Sequence, residues 1–129
     1  MRSLPRSLGL WLTALLALAT PIQAALAQPS AADARFEALG ARFIAEFGRY
    51  SPVNATGLGD HRFDGDLDDL SAAGRAQSAA WVRRLLGELD GIDRSALSRA
   101  NQVDAAMLEN RLRYALWSEE TYRDWSWDP

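Results

Sequence analysis

The chain of 129 residues has no cysteine, no lysine and a single histidine, and its only long apolar run lies within its first two dozen residues. Lack of cysteine excludes disulfides, thiolate metal ligands and a cysteine nucleophile together, so stability has to come from packing. A lone histidine, His61, leaves no second imidazole to share a zinc ion, and no H-E-x-x-H or related arrangement occurs. All 14 basic residues are arginine and face 17 acidic ones. The negative balance disfavours nucleic acid or an anionic membrane as partner. No run alternates in the manner of a half-buried strand, and neither an internal repeat nor a low-complexity segment is present, so the expected class is all-α.

What is present begins with an address. Arg2 and Arg6 form a positive start, Leu8 to Ala19 an apolar stretch, and Ala25-Leu26-Ala27 a small-x-small cleavage site. The apolar stretch is about a dozen residues, where spanning a bilayer takes about 20. Residues 1–27 are therefore expected to be a signal peptide cleaved after Ala27. That leaves residues 28–129 periplasmic or secreted with no stable membrane anchor. Four tryptophans, three tyrosines and four phenylalanines remain in this part, each ring bringing roughly 150–250 Å² to bury.

Three main amphipathic helices are expected. The first, about 31–49, starts from a capping-box-like Ser30 and Asp33. It carries Phe36, Leu39, Phe43, Phe47 and Tyr50 at three- and four-residue steps, with Ile44 widening the stripe, while Arg35, Glu37, Arg42 and Glu46 form a solvated face. The second, about 72–89, starts at Ser71, aligns Trp81, Leu85 and Leu89 with Val82 and Leu86 beside them, and closes at Asp90-Gly91. Ile92 to Leu97 reads as a linker. The third, about 99–122, starts at Ser98 and shows two stripes, Val103, Met107, Tyr114 and Trp117 on one and Leu108, Leu112, Ala115 and Tyr122 on the other. Two stripes imply burial on two sides. Between the first two helices, residues 51–70 read as an ordered loop: Ser51-Pro52 ends the first helix and leads into a short helical turn, and Gly57 and Gly59 break it. Phe63 and Leu67 are expected to point inward.

Candidate chemistry centres on that loop. Asp64, Asp66 and Asp68 occupy the first, third and fifth positions of an EF-hand-like loop, but Asp69 stands where glycine is needed and Arg75 where a bidentate glutamate is needed, so an acidic turn bonded to its own backbone fits better. Asp60 and His61 have the makings of an orienting carboxylate and a general base, yet a structural hydrogen-bonding role fits a lone histidine better. Glu119 and Glu120 diverge as helix neighbours do. The serines at positions 51, 71, 95 and 98 fall where capping explains them. Asn54-Ala55-Thr56 matches a glycosylation sequon by chance in a chain whose leader and composition look bacterial.

Several stretches in this order carry a resemblance: FEALGARFIAEF, SPVNATGLGDHRFD, LDDLS, LDGIDRSALSRANQVDAAMLENRLRY and the closing WSWDP. Together they resemble the start of the bacterial domain-of-unknown-function 885 family, over about Phe36 to Pro129. The resemblance implies a longer, predominantly helical, exported protein similar in plan to zinc carboxypeptidases and oligopeptidases with a deep cleft. Its parent reaction would be hydrolysis of a peptide bond with zinc and a glutamate base. The presumed metal site lies C-terminal to the matched region, so no catalytic or metal-binding residue carries over to this chain, and zinc is implied for the full-length family alone. Gly57, Gly59, Asp60, His61 and Arg62 match a recurrent stretch of the family and are expected to form a structural turn near the cleft. On this reading the chain is an N-terminal fragment, and its partners are the missing C-terminal part of the same protein and, for the full-length form, a peptide substrate. The exposed indoles expected at Trp125 and Trp127 argue the same way. The alternative is a complete small periplasmic helical module that binds a partner through its aromatic face.

Overall fold

Ser30 starts the first helix as the sequence pattern requires. Its hydroxyl accepts from the Asp33 backbone N–H at 2.9 Å while the Asp33 carboxylate accepts from the Ser30 N–H at 3.1 Å, a reciprocal capping box. In the computed structural model, which describes residues 30–127, this helix is α1 (Ala31–Tyr50), followed by α2 (Pro52–Gly57), α3 (Ala72–Asp90) and α4 (Arg99–Trp117). The signal peptide expected over residues 1–27, with its cleavage point, lies outside the described residues. Those residues hold no strand, so the all-α class stands. No helix among them is long and apolar enough to cross a membrane.

α3 packs antiparallel to both α1 and α4, which run the same way. Arg35 near the start of α1 reaches the Gly91 carbonyl just past the end of α3, and Glu46 near the end of α1 reaches Trp81 and Arg84. Trp81, Val82, Leu85, Leu86 and Leu89 of α3 are all buried and form the centre of the core with Phe36 and Leu39 of α1 and Leu112 of α4. Each such side chain contributes about 1.5–3 kcal/mol of apolar burial. The Trp81 indole is sandwiched between Phe43 and Tyr50, with centroids 5.7 and 4.5 Å away, and its N–H donates to Glu46 at 2.7 Å.

Ser71 and Ser98 cap α3 and α4, accepting from the backbone of Gly74 and Asn101. The linker expected at 92–97 holds one 3₁₀ turn, Arg94–Ala96, with Ile92 and Leu97 buried on either side of it. The loop expected at 51–70 begins with α2, whose Pro52 at its first position needs no N–H partner. A second 3₁₀ turn follows, His61–Phe63.

Three expectations of side-chain placement are corrected. Leu67 is 83% exposed, whereas Phe63 does turn inward and lies so close to Gly48 that a methyl group there would overlap its ring. Ile44 is 69% exposed and packs on no helix of the core. The polar face of α1 is solvated as expected, with Arg35, Glu37 and Arg42 exposed and Glu46 half-buried, and these side chains also bond across to α3, its C-terminal end or α4. On α4 the Val103, Met107, Tyr114 and Trp117 stripe faces outward, and burial falls on Ala105 and Leu112, with Leu108 and Leu116 partly covered. Hydrophobic spacing identifies a face but not whether a neighbour covers it.

The third long helix also ends differently from expectation. The α-helix stops at Trp117, and Ser118–Tyr122 is a single π-helical turn closed by Arg123, whose N–H bonds the Ser118 carbonyl at 2.7 Å. Arg123 takes the left-handed conformation at φ 54°, uncommon for a residue with a side chain. The reversal carries the 3₁₀ turn Asp124–Ser126 back beside α3.

Candidate functional site

The five residues singled out in the turn share a hydrogen-bonded frame. Gly57 ends α2, and Gly59 has φ 89°, a conformation that side chains disfavour. The Asp60 N–H returns to the Ala55 carbonyl at 2.9 Å, closing the turn. Both Asp60 oxygens accept from the Arg62 guanidinium, at 2.8 and 2.7 Å, a bidentate pair. These bonds lower the Asp60 pKa to about 2. His61 does not join Asp60. Its Nδ1 lies 3.0 Å from Asp64, whose other oxygen accepts from Thr56 at 2.7 Å, and its side chain is 70% exposed. Hydrogen bonding from Thr56 and then from His61 also depresses the Asp64 pKa.

The remaining aspartates diverge. Asp68 accepts from the Val53 N–H and Asp69 from the Ser71 N–H. Among the described residues no group of three His, Asp or Glu side chains is placed to hold a metal ion. The donor set here therefore does not fit the zinc implied for the full-length family, nor a calcium loop.

Two clefts open at the end of the helical layer that holds this turn. The first, about 330 Å³, lies between the C-terminal half of α1, the start of α3, and α4 with its π-helical turn. Arg75 crosses it, pairing with Glu119 at 3.1 Å and placing its guanidinium carbon 3.7 Å from the Trp125 ring centre. The left-handed Arg123 is what brings Trp125 to this place. The second, about 560 Å³, is lined by Phe43, Ile44 and Phe47 of α1 and by Val53, Ala55 and Leu58 of α2 and its cap, with Gly57 and Asp60 at its edge. Gly59, His61 and Arg62 are not among its walls.

Arg111 of α4 borders both clefts. Its guanidinium carbon stands 5.4 Å from the Phe47 ring centre, and among the described residues it donates no hydrogen bond and pairs with no carboxylate. The sequence reading did not single it out, although a signal was there. The residues three and four places away on the helix, Met107, Leu108, Tyr114 and Ala115, offer it no acid, whereas Arg113 has Glu109 and bonds it at 2.9 Å.

Beyond the clefts, the outer face of α4 carries a chain of aromatic contacts. Tyr114 lies 5.9 Å from Trp117, Trp117 stacks on Tyr122 at 5.2 Å, and Tyr122 meets Trp127 edge to face at 5.2 Å. All four are substantially exposed.

The family described as bacterial protein of unknown function (DUF885) matches residues 52–128, more than half of the chain. The chain belongs to the DUF885 family. No curated protein and no solved structure matches it. The DUF885 match takes in the turn, α2, α3, α4 and the aromatic face. It begins after α1, so the FEALGARFIAEF part of the resemblance lies outside it.

Proposed function

We propose that this DUF885 chain is the N-terminal helical part of an exported, zinc-dependent peptidase-like protein and contributes walls and a docking face, while the catalytic groups reside elsewhere in the protein. The observation that carries the reading is the ladder from Tyr114 to Trp127, a contiguous aromatic surface of a kind that monomeric proteins rarely leave uncovered. The remainder of the same protein is the occupant proposed for it. Export rests on the leader pattern of residues 1–27. Because the described residues do not fit zinc, the chain alone is expected to be inactive on peptides.

The test is to sequence the gene beyond the Pro129 codon, express the product encoded there, and assay peptide hydrolysis with and without a chelator. Chelator-sensitive cleavage by the longer product, with none by this chain, supports the proposal. A stop directly after Pro129, with an intact mass to match, overturns it. That outcome favours the second reading, a complete small periplasmic binding module, for which the two clefts beside Arg111 are the supporting feature.

A further inference from the structure

The geometry points to a carboxylate-binding site at Arg111, in which the guanidinium holds the C-terminal carboxylate of a peptide and the groove of Phe43, Ile44, Phe47, Val53 and Leu58 takes its apolar last side chain. Three observations converge on it. Arg111 has no carboxylate partner among the described residues, so its planar fork of donors is free to meet a carboxylate edge-on. The acids that share its clefts already accept hydrogen bonds: Asp60 from both arms of Arg62, Asp68 from the Val53 N–H, Asp69 from the Ser71 N–H, Glu119 from Arg75 and Asp124 from the Trp125 N–H. The second cleft is walled by apolar side chains, and Ile44, Val53 and Leu58 stand exposed along it. A cation at the border of an apolar groove is complementary to a ligand with an anionic end and an apolar body. Low-dielectric walls strengthen that attraction. The choice of a peptide over another apolar carboxylate rests on the peptidase reading above, whereas the carboxylate chemistry does not.

The test uses the whole chain and a tripeptide ending in leucine, offered as the free acid and as the C-terminal amide. Binding is followed by titration calorimetry and by the Arg111 Nε–H and the Ile44, Val53 and Leu58 methyl resonances. The free acid is expected to bind about tenfold or more tightly than the amide, the span of one charge-assisted hydrogen bond. Arg111→Gln should erase that ratio, and Leu58→Glu, at an exposed position, should weaken the acid by placing a like charge in the groove. Both should keep the helical circular dichroism of the parent, and Arg99→Gln should bind as the parent does. Equal binding of acid and amide, or no binding of either, overturns the site. Decanoate binding as tightly as the peptide acid overturns the peptide assignment in favour of a fatty carboxylate. None of these readouts requires cleavage, so a failed peptidase reading would show as absent chelator-sensitive hydrolysis while the acid-to-amide ratio stood.

Discussion

Two charged side chains toward opposite ends of the helical layer, Asp33 and Arg111, are treated in opposite ways. At the end where α1 begins, Asp33 is buried, and its carboxylate accepts from the Ser98 N–H at 2.9 Å, the Asn101 amide at 2.7 Å and the Ser30 N–H at 3.1 Å. One side chain thus ties the first turn of α1 to the first turn of α4. At the other end, Arg111 rests on the Phe47 ring without an ion pair and borders two clefts. A charge enclosed by its own chain serves the fold, and one left beside a cleft is available to something else. The closed end should therefore govern stability and the open end binding.

The largest effect separates the ends by packing. Leu89, fully buried beside Ile92 and Leu97 at the closed end, should lose about 2–5 kcal/mol of stability on truncation to alanine. Leu58→Ala at the open end, where the side chain is 78% exposed, should stay within about 0.5 kcal/mol. Urea unfolding of the two variants measures the difference, and equal losses would mean that the open end is as tightly built as the closed one.

The open end is not slack throughout, and Gly48 is the place to show it. The Phe63 ring lies where a side chain at position 48 would go. Gly48→Ala should therefore cost about 1–3 kcal/mol through overpacking. Adding Phe63→Ala should recover part of that loss, a coupling that a double-mutant cycle by thermal unfolding would read. Additive losses would instead show that the ring does not seat against α1.

Much of the closed end is legible in the sequence, because capping is local chemistry. Ser30 with Asp33 and Ser98 mark helix starts there by residue type and spacing, as Ser71 does at the other end, and the stripe of Trp81, Leu85 and Leu89 that runs from the open end to the closed one is indeed buried. The open end is less legible. Ile44 and the Val103 and Met107 stripe have the right period for burial, but their exposure depends on which neighbour is present, and spacing does not encode that. Phe63 and Leu67 look alike in a loop, and only the gap at Gly48 distinguishes them. Arg111 is conspicuous by the absence of an acid three or four residues away, a sign that is easily passed over two residues from the paired Arg113.

A smaller effect tests the caps. Ser98→Ala and Ser71→Ala should each cost about 1 kcal/mol, since each removes the acceptor for one N–H at a helix start. Thermal unfolding should show the two losses adding, because they serve different helices. A loss at Ser98 much above that at Ser71 would show the Asp33 hub depending on the Ser98 hydroxyl as well as on its N–H.

Acid sets the last and finest distinction, between two carboxylates that hydrogen bonds hold in the charged form. The Ser98 N–H and then the Asn101 amide keep the Asp33 pKa well below the usual carboxylate range, and Arg62 lowers that of Asp60 to about 2. In the unfolded chain both return to about 4. Above that value both carboxylates are charged in either state and their contributions are complete. As the pH falls below about 4 the unfolded chain takes up protons that the folded chain refuses, so stability declines. For Asp60 the decline ends near pH 2, and for Asp33 it continues lower. Asp33→Asn should therefore flatten the acid limb of stability against pH more than Asp60→Asn does, as followed by urea unfolding between pH 5 and pH 2. The Asp60 contribution should also fade with added salt, because Arg62 is largely exposed, whereas that of Asp33 should persist. Equal flattening by the two substitutions would mean that a surface pair matters to the fold as much as the enclosed hub does, and the contrast between the two ends would no longer hold for their charges.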